Sequence, residues 1–419
     1  MDDRVVITGT GLVTSLGNSA SDSWEALLAG KCGICSVEEG GKCHGAAQVG
    51  GIGPEELDVH PRDSRIMGRH SFMLLKAARE AFRDAGLDKG TVDPEDIGFF
   101  GAMGMVDYNI NDLLPSVLKS LDEHGGLDYD MFFSGAYQEI HPLWPLSMLN
   151  NISFCQVAID LGIKGENTTF SPHADSAVHS IIEAYNTLIE GKAQAVLAGG
   201  VSETVSPFSV ARASLSGVLN TVDSYCSPFS RDRKGTILGE GCGIVALELL
   251  SSAKKGNKPC EAAVTGYGSS FGKLEGSHAP SSDAVVLSME TAISMAEIEP
   301  SDIDLIIVHG DGTEAGDKNE INAVNHTFMK SAGELNVYSS KSALGHLLSG
   351  APAADVVLGT YMLKHGIIPA VLNCPDLDEN IKFNVVRGRP LKLKPGRILM
   401  NSQSYEGQCS SLIIEAVDK

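Results

Sequence analysis

The run Val5-Val6-Ile7-Thr8-Gly9-Thr10-Gly11 returns past the middle of the chain as Ala262-Ala263-Val264-Thr265-Gly266-Tyr267-Gly268. Each copy is an apolar strand-like segment entering a Gly-x-Gly turn. Each is followed by alternating strand and helix patterns. The first copy, Val5–Gly9, precedes helical patterns over Asp22–Leu28 and Phe72–Ala85, the latter closed by Gly86. A strand over Ile97–Gly101, a helix over Ser147–Leu161, a helix over Ala177–Leu188 and a strand over Ala193–Leu197 come next. After the second copy, a strand over Glu261–Gly266, come a helix over Ala284–Ala296, a strand over Leu305–His309 and a helix over Glu320–Phe328. The Ala- and Gly-rich Ser349–Lys364 and strands near Ile398–Ser402 and Ser411–Ala416 complete the chain. Together with the matched order of strands and helices, the echo points to a duplication rather than a short-period solenoid. It predicts an α/β protein of two similar halves, 1–255 and 256–419, sharing one core. Val106–Pro145 fits neither pattern and reads as an insertion lining a cleft or a subunit contact.

An apolar content of 43% over 419 residues is ample for such a core. No apolar run reaches membrane-spanning length, and Met1-Asp2-Asp3-Arg4 lacks a signal-peptide core, so a soluble cytoplasmic protein is expected. A formal charge of −21 argues against nucleic acid as a partner. An acidic carrier protein would need a local basic patch, for which Arg62, Arg65 and Arg69, or Arg231, Arg233 and Lys234, are candidates. Cys32-Gly33-Ile34-Cys35, with Cys43 and His44, has metal-like spacing. No second such pair follows, so the thiols are read as reduced and scattered, and no metal is expected.

The chemistry should centre on Asn167–Ala177, where a β-branched run meets a sharp turn and then the helix Ala177–Leu188. Backbone N–H groups and the positive end of the helix dipole converge at such a turn, a place that seats and activates a nucleophile. The residue found there is Ala174. Asp175 and Ser176 behind it are expected as helix caps. Two histidines stand beside glycines at element boundaries, in Val308-His309-Gly310-Asp311-Gly312-Thr313 and Lys341-Ser342-Ala343-Leu344-Gly345-His346. Asn401–Gly407 forms a further strand-to-turn segment.

On these residues the chain resembles the β-ketoacyl-[acyl carrier protein] synthases of the type II elongating class along almost its whole length. Arg4–Gly11 with Leu27–Lys31, Ala198-Gly199-Gly200, Pro228–Arg233 and Leu238–Gly241 match in order. The HGTxT turn falls on His309–Thr313, with Asp317 and Glu320 following, and the Lys–Gly-His segment on Lys341–His346. The resemblance implies a thiolase-like fold, a duplicated five-layered α-β-α-β-α architecture. It places the two catalytic histidines at His309 and His346 and the lysine that orders the second at Lys341. Asp311 and Thr313 then lie in the turn that contacts phosphopantetheine, the arm of the carrier substrate. Tyr405 stands at a gating phenylalanine whose N–H serves the oxyanion hole. No bound cofactor is implied.

Three departures redirect the functional expectation. The Ser-Thr-Ala-Cys-Ala-Ser-Gly signature has become Ser171-Pro172-His173-Ala174-Asp175-Ser176-Ala177, so the thioester-forming cysteine is absent. The Gly-Phe-Gly-Gly gate has become Ser404-Tyr405-Glu406-Gly407, and Asp311 occupies the middle of the histidine turn. The expectation is a chain-length-factor subunit, paired with a cysteine-bearing homologue in polyketide, polyene or fatty-acid-like elongation on acyl carrier protein. Met131, Phe132 and Phe133 would then stand near the partner's acyl channel, with the helix Ser147–Leu161 at the contact. Retention of both histidines and Lys341 keeps open a stand-alone decarboxylase or acyltransferase, with Ser176, Cys155 or His173 as substitute nucleophiles. A non-catalytic carrier-binding protein is the third reading.

Overall fold

The computed structural model describes residues 3–39, 42–106, 110–273 and 275–417. Ten strands form its frame: β1 Val5–Thr14, β2 Ile97–Met103, β3 Asn167–Phe170, β4 Ala195–Val201, β5 Gly241–Leu249, β6 Ala262–Phe271, β7 Leu305–Ile307, β8 Asn336–Tyr338, β9 Arg397–Gln403 and β10 Gln408–Ala416. In the first half they lie in the order β1-β5-β4-β2-β3, and in the second in the order β6-β10-β9-β7-β8. The pairings repeat as well: antiparallel, antiparallel, parallel, parallel outward from each first strand. The echoing segments β1 and β6 lie side by side, Val5 opposite Val264 and Ile7 opposite Ala262, and join the half-sheets into one.

Nine helices matter to the site: α1 Arg69–Asp84, α2 Ile110–Leu118, α3 Tyr129–Ser134, α4 Asn150–Leu161, α5 Ser176–Ile189, α6 Pro207–Leu215, α7 Ser282–Met295, α8 Glu314–Thr327 and α9 Ala351–His365. α1 and α4 cover the outer face of the first half-sheet, and α7, backed by α8, the outer face of the second. α5 and α9 lie between the two half-sheets and touch strands of both. This is the five-layered arrangement. α9 is apolar all round because it is enclosed all round: twelve of its residues are buried, from Ala351 to Leu363.

The glycines of the echo are used for packing rather than turning. A Cβ on Gly11 would lie 2.0 Å from the Ala77 carbonyl oxygen of α1, and one on Gly268 would lie 2.3 Å from that of Ser288 in α7. Their absence of side chain lets each outer helix settle against its first strand. β1 therefore continues to Thr14 and β6 to Phe271, past the turns expected at Gly9 and Gly266.

Two further boundaries differ from expectation. The helix expected over Ser147–Leu161 begins at Asn150, a separate turn spanning Trp144–Ser147. The helix expected from Glu320 starts at Glu314, because the Thr313 hydroxyl accepts the Gly316 N–H and caps it. The insertion holds α2 and α3, and its residues 107–109 lie outside the described set.

Candidate active site

His309 leaves the end of β7 and enters a turn in which Gly310 and Gly312 have positive φ. Glu320 of α8, itself buried, accepts the His309 and Gly310 N–H groups at 2.8 Å each and fixes that turn. The Gln403 N–H donates to His309 Nδ1 at 3.2 Å, and the Leu348 N–H donates to His346 Nδ1 at 3.2 Å. When neutral, either ring therefore carries its proton on Nε2. The rings stand edge to face, 5.0 Å apart, so the two histidines share one centre. His346 Nε2 is buried with no hydrogen-bond partner among the described residues.

Lys341 is buried 3.6 Å from the Asp355 carboxylate of α9. Burial, then the charges of His309 and Lys341, hold the His346 ring well below the ordinary imidazole range. Burial alone would raise the Asp311 carboxyl. His309, His346 and the Thr313 N–H outweigh it and hold Asp311 below the usual carboxylate range. Asp311 accepts from the Thr313 N–H at 2.9 Å and its hydroxyl at 2.7 Å, and from the Tyr405 hydroxyl at 3.0 Å. Asp317, 2.7 Å from the Phe229 N–H, is pushed up to about 8 by burial and by Asp311.

Ala174 is buried just ahead of α5. It lines a cavity of ≈ 190 Å³ with Met105, Pro172, Leu348, Ser404 and Tyr405. Glu203 and Arg212, paired with each other, also line it. Neither histidine borders that space. His309 and Asp311 instead border a crevice of ≈ 10 Å³, with Thr313, Gln403, Ser404 and Tyr405. Tyr405 thus touches both voids, and its ring lies 5.9 Å from that of His346.

Asp175 occupies the N-cap position of α5 without capping it, contrary to expectation. Its carboxylate accepts instead from the Ser410 hydroxyl at 2.8 Å and faces His179 Nε2 at 3.2 Å. His173 faces Glu406 at 3.3 Å and Gln408 at 3.1 Å. Cys155 is exposed on α4, and Ser176 is buried as the first residue of α5; neither lines the two voids. Met131 and Phe133 are exposed on α3, with the Phe132 and Phe133 rings edge to face at 5.1 Å. They border neither void of this chain.

Of the basic patches, Arg69 is tied to buried Glu240 at 2.9 Å and Arg233 to Asp378 at 2.9 Å. Arg62, Arg65, Arg231 and Lys234 remain at the surface. Cys32 and Cys35 are exposed free thiols, and the side chain of Cys43 lies outside the described residues. No described helix is long and apolar enough to cross a membrane.

Gln403 lies within the strand-to-turn segment Asn401–Gly407, whereas Gln408 and Ser410 belong to the site although no sequence motif marks them. Both amide atoms of Gln403 are buried with no hydrogen-bond partner among the described residues.

The family model for the β-ketoacyl synthase N-terminal domain matches residues 2–253, and that for the C-terminal domain matches 261–375. The chain is 28% identical over 423 residues to 3-oxoacyl-[acyl-carrier-protein] synthase 2 of Staphylococcus aureus, covering 98% of each. Among solved structures it is similar to the ishigamide ketosynthase/chain length factor, at TM-score 0.87 and 26% identity over 100% of both chains. A β-ketoacyl synthase from Burkholderia phymatum shares the fold, at TM-score 0.86 and 24% identity, over 99% of this chain and 100% of that one.

Proposed function

This chain belongs to the β-ketoacyl synthase family, and we propose that it serves there as a chain-length-factor subunit. Its partner is a cysteine-bearing ketosynthase that elongates chains on acyl carrier protein. The observation that carries the reading is an unpartnered apolar flank on a chain whose nucleophile position is Ala174. Ile110, Leu114, Val117 and Leu118 expose one face of α2, and Tyr129, Met131 and Phe133 continue it on α3. Of the 21 exposed large apolar residues among those described, 13 fall between Met105 and Ile159, so the exposure is concentrated on one region. The edge strand β3, paired on one side only, leaves the backbone groups of its outer edge without a strand partner among the described residues. A large apolar interface with a second chain would cover such a flank. The name of the ishigamide ketosynthase/chain length factor supports the same assignment. Arg62 and Arg65 give the carrier protein a local basic contact.

The test is reconstitution with the cysteine-bearing homologue. The isolated chain gains no covalent acyl group by intact mass, and Phe132→Ala or Phe133→Ala shifts the product lengths of the pair without abolishing turnover. A homologue that is fully active alone, with lengths indifferent to this chain, overturns the reading. The convergence of His309 and His346 favours a second reading, decarboxylation of malonyl-carrier without a thiolate. Carbon dioxide release by the isolated chain, lost in His346→Ala, would establish it instead.

A further inference from the structure

Several residues in which three turns depart from the ketosynthase pattern are bonded to one another or to the start of β10. Asp311, from the histidine turn, accepts from Tyr405 of the gate turn. His173, from the nucleophile turn, holds Glu406 of the gate and Gln408 behind it. Ser404 donates to the same Glu406 oxygen. Asp175 is tied to Ser410. Random decay after loss of a thiol would leave such substitutions unmatched.

The bonds also explain why the centre is divided. Ser404 and Tyr405 form a wall shared by the cavity beside Ala174 and the crevice beside His309. The crevice, at ≈ 10 Å³, has room for about one water-sized sphere. His346 borders neither space, and its ring stands 5.9 Å from that of Tyr405 at a steep interplanar angle of 78°.

We propose that Asp311 and Tyr405 pin the gate turn across the reaction centre, closing the histidine pair off from the Ala174 cavity. His173 braces the pinned turn through Glu406, and Asp175 holds β10 behind it through Ser410. The pin is a property of this chain alone and goes beyond its pairing with any homologue. It makes loss of the thiol and closure of the gate one matched change.

Access to His346 reads the pin directly. Diethyl pyrocarbonate acylates neutral imidazole, so labelling of a ring held neutral by burial reports opening rather than protonation. The full chain is treated near neutral pH and labelling rates are mapped by peptide mass spectrometry. Exposed His124 serves as reference and buried His70 of α1 as the monitor of global loosening. The parent should label His346 far more slowly than His124. Tyr405→Phe keeps the ring and removes the donor, and Asp311→Thr removes the acceptor. Each should speed His346 labelling by roughly 10–100-fold, the change in an opening equilibrium expected on losing a hydrogen bond to a charged group. His70 and His124 should be unaffected. A His346 rate equal to that of His124 in the parent overturns the proposal. So does a rate unchanged in both variants, or a rise that His70 shares. None of these outcomes touches the product-length test of the partner-subunit reading.

Discussion

Asp311, in the turn after His309, and Asp317, at the start of α8, shift in opposite directions. Burial and the Asp311 charge push Asp317 up to about 8, whereas Asp311 is held low by the groups that outweigh its burial. A raised carboxyl favours the folded state while protonated, so its contribution is complete below the ordinary value of 3.8 and is lost as pH rises towards about 8. Asp311 acts in the opposite sense, and its contribution is lost only in acid. Asp317→Asn mimics the protonated form. Relative to the parent, it should gain stability between pH 5 and pH 8 by up to about 1.4 kcal/mol per unit. Urea unfolding across that range measures it, and a parallel pair of curves would refute the assignment. His309, His346, Lys341 and Ala174 could be placed from sequence because each sits in a local motif. The Asp311–Tyr405 bond could not, because its partners are 94 positions apart, and those of the Asp175–Ser410 bond are 235 apart. Such pairs exist only once the halves have packed.

At the scale of elements, the duplication is legible in the heptapeptide, but its glycines resemble turn residues in sequence. Their use is helix seating, and a period-two strand pattern carries no sign of what lies across its face. The same use in both halves predicts the same sensitivity. Gly11→Ala and Gly268→Ala would each drive a Cβ into the backbone of an outer helix, at 2.0 Å and 2.3 Å respectively. Overpacking of this kind costs about 1–3 kcal/mol or more. The two variants should show comparably lowered denaturation midpoints. A marked loss in one half alone would mean that the packing device is not shared. The start of α8 at Glu314 is hidden in the sequence for a different reason: the Thr313 cap follows a glycine turn that masks the helical period.

For the whole molecule, the proposed pairing is tested at the exposed face of α2 and α3. Leu114→Glu with Phe133→Glu places two charges where an apolar partner surface would close, and sedimentation of the reconstituted pair should show dissociation. Both side chains are solvent-exposed in the isolated chain, so its own melting temperature should hardly move. A pair that stays assembled would put the interface elsewhere. The bonded turns also have a consequence for endurance. Ala174 precedes α5 in the first half, while the turn from Ser404 to Gly407 joins β9 to β10 in the second. Bonds from His173 and Asp175 to that turn and to β10 therefore run from one half to the other. In a condensing enzyme, a movable gate at this place must give way with every catalytic cycle. Under the proposed partner-subunit role the turn has no such obligation, and its buried polar bonds can be selected for resistance to heat rather than for motion.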